Sequence, residues 1–285
     1  MNKLRVVTDS TVWLADPGFA AKHNTVILPL TIHLGTRSYL DGSEITASDL
    51  QAPAGMPPVL PVVASPSVET YTSVLESLTH CSADILCLHV SGKLCRTVRN
   101  ARAASETLLG RTNIAVIDSL TTSAGLGLLV EEATRMADEG ASLEEVVRHI
   151  RYLIPRLYAV VLVEDLAYLQ RAGHLSRSQV LLGEMMGIKP FLSLEDGCFV
   201  PLEKVRTREQ AIEKLTEFVG EFSNLRQLAV LQGADHLQGD VDLLIERVRE
   251  LFPSCPIVVA RLSASVASLL GPRALGLVAF DMPSA

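Results

Sequence analysis

The stretch Asp165-Leu166-Ala167-Tyr168-Leu169-Gln170-Arg171-Ala172-Gly173-His174-Leu175 opens the passage, running on to Gln210, that decides the fold of the second half of this chain. It reads as a strand end followed by a basic turn on Gly173, which holds cationic groups out to solvent. A helix of small residues follows, then a strand through Ile188-Lys189-Pro190-Phe191-Leu192. The Asp-Gly pair of Glu195-Asp196-Gly197, set between two apolar runs, predicts a hairpin into a further strand that ends in Val205-Arg206-Thr207-Arg208. Beyond it the pattern predicts a helix over 208–222, a strand over 228–232, a helix over 241–251, a strand over 257–261 and a closing strand over 275–280. This is the pattern of an α+β domain, assigned to residues 156–285.

Upstream of Pro155 strands and helices alternate. Leu4-Arg5-Val6-Val7-Thr8 is a short apolar strand, and a second apolar run spans 25–32. Helices are expected at 67–78, from about Cys95, from Gly125 to Met136, and up to Ile154. The last opens on a capping box, Ser142 with Glu145 three residues on. Strands at 84–90 and 114–117 lie between them. The alternation predicts a parallel sheet with helices on both faces, an α/β domain over 1–155. Residues 33–62 form an extended, proline-rich excursion from it, since the prolines from Pro53 onward forbid a helix.

With 285 residues, 48% of them hydrophobic, the chain can fill a substantial core. Its apolar runs have the length of buried strands and fall short of the roughly 18 residues of a membrane span, so no stable membrane insertion is expected. Met1-Asn2-Lys3-Leu4-Arg5 lacks the features of a signal peptide, which makes the cytoplasm the expected compartment. A net charge of −7 and 5% aromatic residues argue against nucleic acid as a partner. The five cysteines never occur as C-x-x-C, so small buried thiols are expected and no disulfide or zinc site.

Three predicted strands end in small polar clusters: Thr8-Asp9-Ser10-Thr11, His89-Val90-Ser91-Gly92, and Asp118-Ser119 with Thr121-Thr122-Ser123. Each suits a helix cap, and the three together suit a shared ligand crevice at the carboxyl ends of the strands. Asp9 is compatible with a phosphatase or phosphotransferase nucleophile, although position 11, where a second carboxylate would act as proton donor, is Thr. No nucleophile–base–orienter set assembles, no metal or cofactor is implied, and a histidine placed like His89 is more often a structural hydrogen-bonding group than a base. Arg171, Arg206 and Arg208 are either ordinary solvated charges or a docking patch.

The order and spacing of these motifs resemble the DegV family, bacterial proteins that hold a fatty acid and present it to a kinase. Thr8-Asp9-Ser10-Thr11, Leu28-Pro29-Leu30, Ser65-Pro66-Ser67, Val116-Ile117-Asp118-Ser119, Gly125-Leu126-Gly127-Leu128, the 165–175 turn, Val205-Arg206-Thr207-Arg208 and Gly271-Pro272 carry the resemblance along nearly the whole chain. It implies two α/β domains with an acyl chain in an apolar tunnel between them, no catalysis by the chain itself, and a separate ATP-using kinase. That kinase would dock partly through Arg171 and Arg206, with His174 and Arg208 beside them.

The departures concern the positions that the resemblance assigns to the ligand's carboxylate. Thr-Ser-Gln-Pro of the family is Val63-Ala64-Ser65-Pro66 here, and Ser-Ser-x-Leu-Ser-Gly-Thr is Ser91-Gly92-Lys93-Leu94-Cys95-Arg96-Thr97. The threonine thus becomes Val63, the serine Cys95, and a histidine near the C-terminus Leu269, while Gly173 is followed by His174 in place of arginine. Two positions that are glycine in the family pattern hold Arg96 and Arg273. A head group held by Arg96 and Arg273 with Ser91 or Thr97, and with Ser65, Gly92 and Ser119 beside them, is one expectation. Two alternatives remain: an apolar pocket for a neutral lipid with both arginines in solvent, and a regulatory protein of this fold without kinase coupling.

Overall fold

The computed structural model describes residues 4–51, 59–173, 175–233 and 237–282. Part of the proline-rich connector, 52–58, and His174 therefore lie outside the described residues. The chain divides into two compact units, one of Met1–Thr31, Ala64–Pro155 and Asp196–Cys198, the other of Ile32–Val63, Arg156–Glu195 and Phe199–Ala285.

The apolar run over 25–32 is not one strand but two, β2 (Val26–Leu28) and β3 (Thr31–Leu34), because Pro29 between them has no N–H to give a ladder. β1 (Arg5–Asp9) precedes them, and a short helix, α1 (Phe19–His23), lies between. The excursion is more ordered than an extended connector: β3, β4 (Arg37–Leu40) and β5 (Val62–Ala64) make a small sheet in the order β4-β3-β5. Its residues Ile32–Val63 fall in the second unit, where Ile32, Ile45, Ala47 and Leu50 are buried with Ala264 and Ala267.

In the first unit β1 pairs in parallel with β2 and with β6 (Asp84–His89), and β6 with β7 (Asn113–Asp118), giving the order β2-β1-β6-β7. α2 (Val68–Thr79) is capped by Ser67, whose Oγ accepts from Thr70 N at 3.2 Å. It buries Tyr71 and Leu75 against Val7, Ile85 and Cys87 on one face of the sheet, together with α3 (Thr97–Glu106). Each such fully buried large side chain contributes about 1.5–3 kcal/mol. α4 (Ser123–Asp138) and α5 (Leu143–Leu153) complete the unit; Ser142 and Glu145 form the expected capping box at the start of α5.

The second unit is built on a six-stranded sheet of order β10-β9-β8-β13-β11-β12. Its strands are β8 (Leu157–Leu162), β9 (Lys189–Glu195), β10 (Cys198–Val205), β11 (Leu225–Gln232), β12 (Ile257–Arg261) and β13 (Leu275–Asp281). β13 runs antiparallel to both β8 and β11, and β11 parallel to β12, so the sheet is mixed. The helices are α6 (Leu166–Arg171), α7 (Arg177–Met185), α8 (Arg208–Gly220), α9 (Gln238–Leu251) and α10 (Ala264–Leu270). α8 and α9 pack Ile212, Leu215, Val241 and Leu244 onto Leu228, Val230 and Leu277. α10 escaped the periodicity reading because Ala-Ser-Val-Ala-Ser-Leu-Leu has no polar face to set against an apolar one; the helix is nearly all buried. Among the described residues no helix is long and apolar enough to cross a membrane.

Candidate functional site

The polar clusters predicted at the strand ends meet at one end of the first unit's sheet. Asp9, at the end of β1, has no exposed surface. Its Oδ1 accepts from Thr11 N at 3.1 Å and Thr11 Oγ1 at 2.6 Å, and its Oδ2 from Val90 N at 2.9 Å. His89 Nδ1 stands 3.0 Å from the same Oδ2; a carboxylate only accepts, so the imidazole carries its proton on Nδ1. Four donors thus hold one buried carboxylate, and the His89 ring meets Tyr71 edge to face at 5.2 Å. Burial, and then the charge of Asp9, push the Tyr71 phenol above its ordinary value. A nucleophile needs an open oxygen in reach of substrate. Asp9 offers none, and it ties β1 to the end of β6.

Asp118 does for β7 what Asp9 does for β1. Its carboxylate accepts from Gly92 N at 3.1 Å and Leu120 N at 3.0 Å, and a Cβ at Gly92 would stand only 2.8 Å from its Oδ2. A side chain at Gly92 would therefore push the Asp118 carboxylate aside. Ser119 is fully buried and spent locally, its Oγ donating to Thr121 O and accepting from Thr121 N. The connection that follows carries two side chains in the left-handed region, Leu120 at φ 52° and Ser123 at φ 52°. Such strain persists where the surroundings hold it, and here Ser123 N donates to Thr11 O and Trp13 N to Ser123 O.

Ser91, also fully buried, donates from Oγ to Gly197 O at 2.8 Å and accepts there from Lys93 N. Gly197 lies at φ 83°, and a Cβ on it would come within 2.2 Å of Ser91 Oγ. The Asp-Gly tip read from the sequence as a hairpin turn thus also packs directly on Ser91.

The start of α3 draws in the segment after the proline-rich connector. Ser65 Oγ accepts from Arg96 N at 3.0 Å, and Asn100 Nδ2 donates to Pro66 O at 2.8 Å. Arg96 is the N-cap residue and is exposed, Thr97 is buried, and Cys95 Sγ lies 3.0 Å from Thr97 Oγ1. Burial, reinforced by the charge of Asp9, raises the Cys95 thiol, so it stays a neutral, weak donor. Ser65, Ser91, Gly92, Cys95, Arg96, Thr97 and Ser119 are therefore gathered in one unit. Of the five cysteines only Cys87 is buried; Cys81 is exposed and the others are intermediate, which corrects the expectation of uniformly buried thiols.

The remaining candidates belong to the second unit. Val63 packs against the small cluster of Ile32 and Ile45, and Leu269 is half-buried in α10. Arg273 is not an isolated solvent charge: its Nε is 3.2 Å from Glu164 Oε2. Glu164, just past β8, has a side chain only 5% exposed and also meets Lys189 Nζ at 3.2 Å and Arg208 at 2.6 Å. Arg208 reaches Asp240 with its other arm. Burial pushes the Glu164 carboxyl up, but Arg208, Lys189 and Arg273 together outweigh it and hold it below the usual carboxylate range. Arg171 and Arg206 are exposed. Sequence reasoning passed over Glu164 altogether, because its partners lie far along the chain. No group of three or more His, Cys, Asp or Glu among the described residues is placed to hold a metal ion.

A family model described as "Uncharacterised protein, DegV family" matches residues 3–281. A DegV domain-containing protein of Streptomyces coelicolor is 31% identical over 280 residues, covering 96% of each chain. Another, from Halalkalibacterium halodurans, is 29% identical over 280 residues, covering 97% of this chain and 98% of the relative. Among solved structures, that of a DegV family protein from Thermus thermophilus, described by its fatty acid binding, superposes with a TM-score of 0.85 at 27% identity, covering 98% of this chain and all of the other. The chain belongs to the DegV family.

Proposed function

We propose that this DegV-family chain binds a long-chain fatty acid or a related acyl ligand and presents its head group to an ATP-dependent kinase subunit in the bacterial cytoplasm, without performing the chemistry itself. The observation that carries the reading is the full-length likeness to the fatty-acid-binding protein of Thermus thermophilus. The phosphatase alternative finds no support in Asp9, which is buried and fully hydrogen-bonded.

The head-group end of this site is atypical. In the first unit, Cys95 is only a weak side-chain donor. An unpaired buried carboxylate is costly, so an acid needs other donors. The exposed guanidinium of Arg96, at the first turn of α3 beside Thr97, supplies them in this reading, helped by the helix N-terminus. The kinase docks on the exposed Arg171 and Arg206.

Organic extraction of the folded protein followed by mass spectrometry tests the core of this proposal. A stoichiometric acyl ligand is expected; none found, together with no uptake of added fatty acids, would sink it. Arg96→Ala is expected to weaken an anionic lipid and spare a neutral analogue of equal chain length. Arg206→Glu is expected to weaken kinase association while leaving ligand content unchanged, because a rim charge governs encounter more than pocket chemistry. Loss of lipid in that variant would move Arg206 into the pocket.

A further inference from the structure

Three cations from three separate segments converge on Glu164: Lys189 from the start of β9, Arg208 from the start of α8, and Arg273 from the turn before β13. One carboxylate cannot neutralise three cations. Asp240 takes one arm of Arg208 and so accounts for a second charge; among the described residues, three cations meet two bonded acids. Glu209 is nearby and exposed; its carboxylate is turned back on its own amide and on Thr207, and the weaker pull of Lys189 and Arg208 reaches it through water. Arg273 approaches Glu164 through Nε and remains 55% exposed, and Lys189 is 28% exposed. Both therefore keep N–H donors within reach of a ligand, in a geometry that a nearly buried counter-ion already fixes. The first turn of the 13-residue helix α8 adds its positive end at the same place, since Arg208 is the first helical residue.

We propose that Lys189, Arg208 and Arg273, held in position by Glu164, form an anion subsite in the second unit that takes a phosphoryl group. A compact oxyanion with several oxygens fits this set better than a carboxylate, because the donors are three separate side chains and a carboxylate has only two oxygens to share. The subsite needs nothing from the acyl reading and stands if that reading fails. Free phosphate and the phosphoryl end of an acyl phosphate present the same oxygens, and the test separates them.

The full chain is titrated with inorganic phosphate and, separately, with acetyl phosphate, using phosphorus NMR line widths and calorimetry against chloride at equal ionic strength. Saturable binding of inorganic phosphate is expected, weakened roughly tenfold in Arg273→Ala by loss of one charge-assisted contact. Arg273→Lys should recover part of the loss, and a cooperative thermal transition shows that the variants fold. Equal competition by acetyl phosphate assigns the site to phosphoryl groups in general, and phosphate binding alone assigns it to the free ion. Line broadening that does not saturate, that chloride abolishes, or that is the same in Arg273→Ala overturns the proposal.

Discussion

Asp9 in the first unit and Glu164 in the second are both nearly or wholly buried carboxylates at the end of a strand, yet they are satisfied in opposite ways. Asp9 is held by two backbone amides, a hydroxyl and an imidazole, all from residues 9–11 and 89–90. Glu164 is held by Lys189, Arg208 and Arg273, drawn from segments far apart along the chain. Short, buried donors on neighbouring strands make a rigid frame that salt does not reach. Long cationic side chains at a surface make a junction that stays partly solvated, and so can be exchanged or screened. The first arrangement builds a scaffold; the second leaves charge available to something outside the protein.

The sharpest way to break this contrast is Asp9→Asn. The amide keeps the shape but replaces one acceptor oxygen with an NH2 that points at groups already donating. Leaving a buried group unsatisfied costs about 1–3 kcal/mol and more where the lost acceptor is charged, so a loss above about 3 kcal/mol is expected in urea unfolding. A loss under about 1 kcal/mol would show that the network relaxes, and that Asp9 is not the tie between β1 and β6.

Glu164→Gln probes the other side and should cost less, about 1–3 kcal/mol, because its partners can turn to water. The distinguishing mark is pH. The folded carboxyl lies below the usual range, so the folded state binds its proton less tightly than the unfolded one does. Its stabilisation is therefore complete above the unfolded value of about 4.3, and it disappears as pH falls through the lower folded value. The stability gap between wild type and Glu164→Gln is expected to close across that acid window and stay constant from there to neutral pH. A gap that does not change with acidification would mean that the ion pairs contribute nothing to folding.

How far each region could be read from the sequence follows the same divide. The parallel sheet, the Ser142–Glu145 capping box and the Asp196-Gly197 turn were legible because each depends on residues close along the chain. So was the gathering of polar residues at the ends of β1, β6 and β7, since a regular α/β alternation puts strand ends side by side. The small sheet of β3, β4 and β5 was hidden: Ile32, Ile45 and Leu50 are buried against Ala264 and Ala267, more than two hundred residues away in the sequence. Glu164 was hidden for the same reason. Arg208, read as a docking charge, and Arg273, read as a head-group ligand, are both tied to Glu164 by contacts that no local pattern announces.

The smallest expected effect is the most specific to the contrast. Lys189→Met removes one cation from Glu164 while keeping a flexible apolar stem of similar length. Lys189 is partly exposed and Arg208 and Arg273 remain, so the loss should be about 0.5 kcal/mol at low salt. Raising the salt concentration toward 1 M shortens the screening length to about 3 Å, so the difference from wild type is expected to vanish. The loss in Asp9→Asn should persist under the same conditions, because its donors are buried and local. Both variants are measured as unfolding midpoints at low and high salt. If salt erases both losses, or neither, the two carboxylates are held by the same kind of force and the division between scaffold and charged junction fails.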